Sequence, residues 1–142
     1  SHIDFLPTVA AAAGTTPPTD RPIDGKNLLP WLMGPRPAAP PHQAIFWQDG
    51  FYLAVLKDGW KLQTSDNPKK DWLFHVAVDP TEQTNLAASN PAKVAELKAA
   101  IAEHRRGGRS ALFPATGAMP VTIDKTLEEK ATTADEYIYW PG

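Results

Sequence analysis

The groups able to do acid–base, nucleophilic or metal chemistry are few and scattered. The four histidines are His2, His42, His75 and His104. No two stand at a metal-ligand spacing on one element, and no His-Glu-x-x-His occurs. A histidine inside a strand pattern, such as His75, reads as a satisfied or half-exposed residue. There is no Gly-x-Ser-x-Gly elbow, no phosphate-binding loop and no dinucleotide-binding glycine pattern. The chain has no cysteine, which removes disulfides, thiolate metal sites and a cysteine nucleophile from it and leaves the redox compartment unreadable. The carboxylates stand at turns and caps. Asp20 and Asp24 lie beside proline and glycine and do not indicate a preformed acid–base pair. Arg105, Arg106 and Arg109 are the tight basic cluster, at a predicted helix end where cations offset the helix dipole. Read from its residues alone, the chain shows no catalytic constellation and looks like an accessory α+β module.

The elements that would position any chemistry centre on Ala44–Leu86. Three apolar runs, Ala44–Gln48, Phe51–Lys57 and Trp60–Thr64, are separated by Asp49-Gly50 and Asp58-Gly59. Two such residues between apolar runs predict tight hairpins, because primed turns need positive φ. A fourth run, Trp72–Val76, follows a polar loop, Ser65–Lys70. In the third strand Trp60, Leu62 and Thr64 face one way and Lys61 and Gln63 the other, the alternation of a half-buried strand. The second strand is apolar on both faces, which predicts a helix over one face and another domain over the other. Asp79-Pro80-Thr81-Glu82 resembles a helix-starting cap.

Before the sheet, Ile3–Ala13 carries Ile3, Leu6, Val9, Ala10 and Ala13 at helical spacing, with Ser1 as cap, Asp4 in the first turn and Gly14 as the stop. Pro7 predicts a kink unless the helix begins near Leu6. Leu28–Met33 predicts a helical turn or two ended by Gly34. After the sheet, Asn90-Pro91 opens the clearest helix. Its stripe is Val94, Leu97, Ile101 and Ala102, and Gly107-Gly108 end it. In the tail, Val121-Thr122-Ile123 predicts a short strand, and Tyr137–Pro141 is an aromatic cluster that reads as an anchor to the body or to a neighbouring subunit.

At 142 residues the chain is long enough for a real core, burying roughly 68–70% of its unfolded surface. A net charge of -2, with basic residues scattered, argues against nucleic acid as a partner. No apolar run reaches transmembrane length and no signal peptide opens the chain, so no membrane partner is expected. Ser1 in the place of a methionine suggests a piece of a longer protein. Fifteen prolines, about twice the usual frequency, cluster in Thr16–Pro22 and Pro35–Pro41 and predict extended connectors.

Several short motifs, taken in order, resemble a known family. Asp4, Pro7 and Thr8 with Gly14 resemble "D-x-x-P-T…G". Asp24-Gly25, Leu28, Leu32 and Gly34 resemble "D-G-x-x-L…L-x-G". Trp60-Lys61-Leu62 resembles "G-x-(W/Y)-K-L". Leu73-Phe74 and Asp79-Pro80-x-Glu82-x-x-Asn85-Leu86 resemble "L-Y-x-L-x-x-D-P-x-E-x-x-N-L". Together they resemble the C-terminal portion of a sulfatase of the arylsulfatase type, in the alkaline phosphatase-like superfamily, over residues 1–106. Phe74-His75 departs from the family's Tyr-Asp.

The resemblance implies a fold class of α+β: a small four-stranded antiparallel sheet packed by a C-terminal helix. One or two short helices precede it and belong to the edge of a large α/β domain. It implies that 1–41 ends that large domain and includes the proline-rich connector, that 42–106 is the C-terminal subdomain, and that 107–142 is an extension. The parent would hydrolyse sulfate esters with calcium and a formylglycine made from a Cys or Ser in a C/S-x-P-x-R motif. Neither that cysteine nor S-x-P-x-R occurs here. The family's catalytic and metal-binding residues map onto none of these positions, and the isolated chain is expected to be inactive. His42 and Trp47, at the entry to the sheet, are the candidate residues for the substrate-cleft rim. The expected partners are the N-terminal catalytic domain and, through the apolar helix or the aromatic tail, a second copy. Export, to the periplasm or beyond, is implied for a bacterial parent. A phosphodiesterase or phosphonate monoester hydrolase of the same superfamily, and a stand-alone binding or oligomerisation module, are the alternatives.

Overall fold

The computed structural model describes residues 1–35, 37–66, 69–108, 118–122, 129–130, 132 and 137–141. It divides into two compact units, Ser1–Ile45 and Phe46–Gly142.

In the first unit a 3₁₀ turn, His2–Asp4, runs into α1, Phe5–Ala12. The change of helix type at Asp4 places Pro7 in the first turn of α1, where its missing N–H has no intrahelical acceptor to lose. This is why Pro7 does not interrupt the element. Two bonds close the helix, Gly14 N–H to the Ala11 carbonyl (3.1 Å) and Thr15 N–H to the Ala10 carbonyl (2.9 Å), the paired pattern of a Schellman end. A second short helix, α2, spans Leu29–Leu32.

The expected apolar stripe of α1 is not the buried one. Asp4, Pro7 and Ala10 point inward. Ile3, Phe5, Leu6 and Val9 are exposed, Phe5 by 73%. The inward face is chosen by hydrogen bonding to Asp4 rather than by hydrophobicity, and the apolar face is left without cover.

In the second unit β1 (Ala44–Asp49, whose first two residues belong to the first unit), β2 (Tyr52–Lys57), β3 (Trp60–Asp66) and β4 (Lys69–His75) form an antiparallel sheet in the order β1-β2-β3-β4. The β2–β3 hairpin is the tight turn its sequence predicts. Lys57 pairs with Trp60 across Asp58 (φ 51) and Gly59 (φ 76), both in the left-handed region that a type I′ turn requires. The first turn differs. Asp49 completes β1, and Gly50-Phe51 make the connection. The third connection also differs. Ser65, Asp66, Lys69 and Lys70, expected in a loop, lie in strands, and the β3–β4 ladder runs out to the Asp66–Lys69 pair.

Register assigns the faces. Leu53, Val55, Leu62 and Leu73 share one with Thr64, Asp71 and Lys57. Over it lies α3, Pro91–Arg106, anchored by Lys98 Nζ to Asp71 (2.7 Å) and Lys57 Nζ to Glu96 (3.1 Å). Leu97 and Ile101 of α3 are buried against this face, where Val55, Leu62 and Leu73 are fully enclosed. Ala102, expected in the stripe, is exposed. Asn90 opens α3 through its carbonyl, which accepts from Val94 N–H. Its side chain does not cap the helix but donates to the Leu86 carbonyl and Ser89 Oγ.

The opposite face carries Tyr52, Ala54, Lys61, Gln63, Ser65, Trp72 and Phe74. The sequence reading places another domain over this face. Instead Ala54, Gln63, Ser65, Trp72 and Phe74 are buried within the chain itself. The chain after β4 turns back onto this face, and a second ribbon, β5 (Ala118–Thr122) paired antiparallel with β6 (Tyr137–Pro141), reaches β2. The predicted strand at Val121-Thr122 is thus part of β5; Ile123 and Arg109 lie outside the described residues. Among the described residues no helix is long and apolar enough to cross a membrane.

Candidate functional site

The motif residues gather into two polar clusters, one in each unit. In the first unit the centre is Asp4, 1% exposed. Its Oδ1 accepts from Lys26 N–H (2.8 Å) and His42 Nε2 (2.6 Å), and its Oδ2 accepts from the Ser1 nitrogen (2.8 Å). Thr8 Oγ1 donates to the Asp4 carbonyl (2.6 Å) and accepts from Leu28 N–H (3.0 Å). Gly25 makes this approach feasible. A Cβ at that position would stand 2.0 Å from the Ile3 carbonyl oxygen and 3.1 Å from Pro7, so any side chain there would push Lys26 away from Asp4. Burial alone would raise the Asp4 carboxyl. In the 142-residue chain the hydrogen bonds from the charged amino group of Ser1, from Lys26 and from His42 outweigh it and hold the group at about 2, below the ordinary 3.8. "D-x-x-P-T" and "D-G-x-x-L" are therefore two halves of one knot, with His42 as its third strand.

In the second unit, Glu82 sits on the second face of the sheet. It takes Lys61 Nζ on both oxygens (2.6 and 2.8 Å) and Gln63 Nε2 on one (2.8 Å). Tyr52 Oη donates to Gln63 Oε1, extending the chain of bonds. Burial, and then the Glu82 charge, push the Tyr52 phenol up, so it stays a neutral donor. Glu82 has φ 58, a conformation uncommon for a side-chain-bearing residue and retained where surrounding contacts over-determine it.

No helix begins at Asp79, contrary to the predicted cap. The Asp79 carboxylate accepts from Gln83 N–H (3.1 Å) and Thr84 N–H (2.9 Å), and these bonds from Thr84 and Gln83 keep it below its ordinary value. Glu82 does not turn back to Asp79; it reaches across to Lys61. Asn85 then docks on the free edge of β4. Its Oδ1 accepts from Leu73 N–H (3.0 Å), its Nδ2 donates to the Asp71 carbonyl (3.2 Å), and Leu86 N–H donates to the Leu73 carbonyl (2.7 Å). Asp79 shapes the turn, Glu82 anchors it to the sheet and Asn85-Leu86 finish the edge.

Replacing Asn85 by alanine leaves Leu73 N–H unpaired. It is expected to lower the stability of the second unit by about 1–3 kcal/mol. This is measurable as a lower urea midpoint at unchanged slope.

The residues singled out in the sequence fall in different units. His42 belongs to the first unit, packed on Asp4 with 10% of its side chain exposed. Trp47 belongs to the second, 42% exposed, at a shallow hollow bordered by Gln48, Ile101 and Arg105. His104 stacks on Phe46 (ring centroids 4.1 Å apart) and His75 on Trp60 (4.4 Å). Arg106 pairs with Glu103. Among the described residues no group of three or more His, Cys, Asp or Glu is gathered to hold a metal ion. The Asp4–His42 pair was not legible beforehand. Thirty-eight positions separate its members, and the only hint was a carboxylate in the first turn.

No protein-family model matches the chain. Its sequence is similar to rat (Rattus norvegicus) steryl-sulfatase, 36% identical over 80 residues, 56% of this chain and 13% of the relative. It is similar to dog (Canis lupus familiaris) arylsulfatase H, 30% identical over 141 residues, 75% of this chain and 25% of the relative. Its fold matches the structure of a 2-O GAG sulfatase with a TM-score of 0.60 at 23% identity, over 72% of this chain and 24% of that one. The chain thus spans between 13% and 25% of the length of these two curated relatives.

Proposed function

We propose that this chain, a homologue of sulfatases, is the C-terminal portion of an enzyme that hydrolyses sulfate esters, and that its own role is to support the substrate cleft. The observation that carries this reading is the way the family-like motifs close on one another: Asp4, Thr8, Gly25 and Leu28 in one knot, Lys61, Glu82 and Asn85 in the other. Motifs that fold into contact are under a joint structural constraint, and the sulfatase relatives supply the reaction class. Residues 1–41 then end the large domain, whose surface covers Ile3, Phe5, Leu6 and Val9. Residues 42–106 form the C-terminal subdomain and 107–142 an extension. His42 and Trp47 take the cleft rim.

Formylglycine-type sulfatases use calcium and an oxidised Cys or Ser. These residues fit neither group: the chain has no cysteine and no Ser-x-Pro-x-Arg, and its described residues gather no set of metal ligands. In this reading both are held by the rest of the parent protein.

The test compares two proteins. The purified 142-residue chain is expected to give no turnover of 4-nitrophenyl sulfate with calcium present, and the full-length protein to give turnover. Hydrolysis by the chain alone would overturn the supporting role. A full-length protein that cleaves bis(4-nitrophenyl) phosphate and not the sulfate would move the assignment to a phosphodiesterase. The second unit buries both faces of its sheet within the chain, so it is expected to remain folded in this assay and serve as a fair negative.

A further inference from the structure

We infer that the hollow between β1, β2 and the end of α3 binds a small organic anion, one ring or short apolar body bearing a single carboxylate or sulfate, with Arg105 as its charge partner. The inference rests on the second unit alone and goes beyond the sulfatase reading.

The hollow has an apolar floor. Leu53 of β2 and Ile101 of α3 line it, and both are buried. Phe46 of β1 and His104 of α3 form a stacked pair in its wall, their ring planes 3° apart. Trp47 also lines it and remains 42% exposed. The volume is about 260 Å³, below the roughly 300–1,000 Å³ of pockets for drug-sized ligands, so the hollow takes a single ring and not an extended chain.

Arg105 borders the hollow and is exposed. Its neighbours at this helix end are engaged. His104 stacks on Phe46, and Arg106 pairs with Glu103. Gly107 N–H and Gly108 N–H both donate to the Arg105 carbonyl, so the last turn closes on backbone. Among the described residues no ion pair or hydrogen bond holds the Arg105 guanidinium. The helix dipole does not fix it either, since any cation in the last turn offsets that dipole, and Arg106 supplies one. A guanidinium's planar fork of N–H groups matches a carboxylate or sulfate and binds it through two parallel hydrogen bonds. The apolar floor adds a preference for a hydrophobic body over a bare ion. The ligand is therefore amphiphilic, its ring on Leu53 and Ile101 and its charge on Arg105.

The test titrates the 142-residue chain with benzoate at constant ionic strength, followed by ¹H–¹⁵N and methyl spectra. Benzamide serves as the neutral twin and inorganic sulfate as the bare anion. Benzoate is expected to move the Trp47 indole N–H and the Ile101 methyl signals saturably. It is expected to bind about tenfold or more tighter than benzamide or sulfate, the scale of one charge-assisted hydrogen bond. Arg105→Gln should bring benzoate down to the level of benzamide, and Arg106→Gln should leave it unchanged. Amide signals away from the hollow check that the Arg105→Gln variant keeps its fold. Benzoate and benzamide binding alike overturns the charge partner. Sulfate binding as tightly as benzoate overturns the part of the apolar floor. Shifts that never saturate, or equal losses from the two arginine variants, mean diffuse charge attraction and no site. None of these results depends on sulfate-ester turnover by the full-length protein, so this site and the sulfatase reading stand or fall separately.

Discussion

Asp4→Ala is expected to destabilise the first unit by about 1–3 kcal/mol, the scale for leaving a buried hydrogen-bond donor without its partner. The carboxylate satisfies three donors drawn from three separate stretches of chain: Ser1, Lys26 and His42. Alanine leaves the Lys26 N–H without its acceptor and the His42 ring without its clamp. Little apolar packing compensates, because the large apolar side chains of α1 point outward. The loss should be local. Hydrogen exchange at Lys26 and Leu28 is expected to accelerate by about one to two orders of magnitude, while amides of β2 and β3 in the second unit keep their protection. Acid should do the same to the unmodified 142-residue chain. The folded carboxyl titrates at about 2 against an ordinary 3.8. A depressed value contributes stability that is present above about pH 4 and disappears as pH falls toward 2. An acid titration should show the first unit opening in that window, and Asp4→Asn should lack the step. A first unit indifferent to Asp4→Ala would mean that the knot is incidental to its fold.

Trp72→Ala should cost the second unit about 3–5 kcal/mol. Trp72 is the largest fully buried side chain described. It stands next to Tyr52, whose ring centroid is 6.5 Å away, and beneath Lys70 Nζ, 5.3 Å from its own ring centroid. Its removal opens a void on the face that also carries the Lys61–Gln63–Glu82 network, so neighbouring polar groups would lose their fixed positions along with the packing. The comparison is Trp47→Ala. That indole is 42% exposed, and its loss is expected to change stability by no more than about 0.5 kcal/mol. Urea denaturation of both variants, followed by circular dichroism, checks the contrast. A Trp72 variant as stable as the Trp47 variant would contradict the closed second face.

The two expectations concern residues of the same types in similar patterns, and sequence alone could not rank them. Asp4 and Asp24 both precede helical patterns within short motifs. One is buried at the centre of a knot; the other is exposed. Trp47 and Trp72 both lie in apolar strand runs. What separates each pair is the chain that arrives from elsewhere: Lys26 and His42 over Asp4, and the enclosed second face over Trp72.

The local elements were determined by the sequence itself. Asp58-Gly59 makes a two-residue hairpin because few other residues accept positive φ twice in succession. Pro91–Arg106 is a helix because proline presets its first turn and its spacing puts Leu97 and Ile101 on one side. The family-like motifs were also visible, as an ordered series pointing to sulfatases. Only tertiary structure decided what those motifs do. Asp79 and Glu82 carry the spelling of a helix cap, but Glu82 gains more from Lys61 and Gln63 across the sheet than from the backbone behind it, and the segment becomes a turn. Asn85 looks like any loop asparagine until β4 presents an unpaired edge. His42 looks like one of four unremarkable histidines until Asp4, thirty-eight positions earlier, is buried against it. Turns and helix stripes are decided by neighbours within about four residues, whose geometry the backbone already sets. Polar partnerships across tens of residues depend on which groups folding removes from water together, and that information lies in the assembled fold.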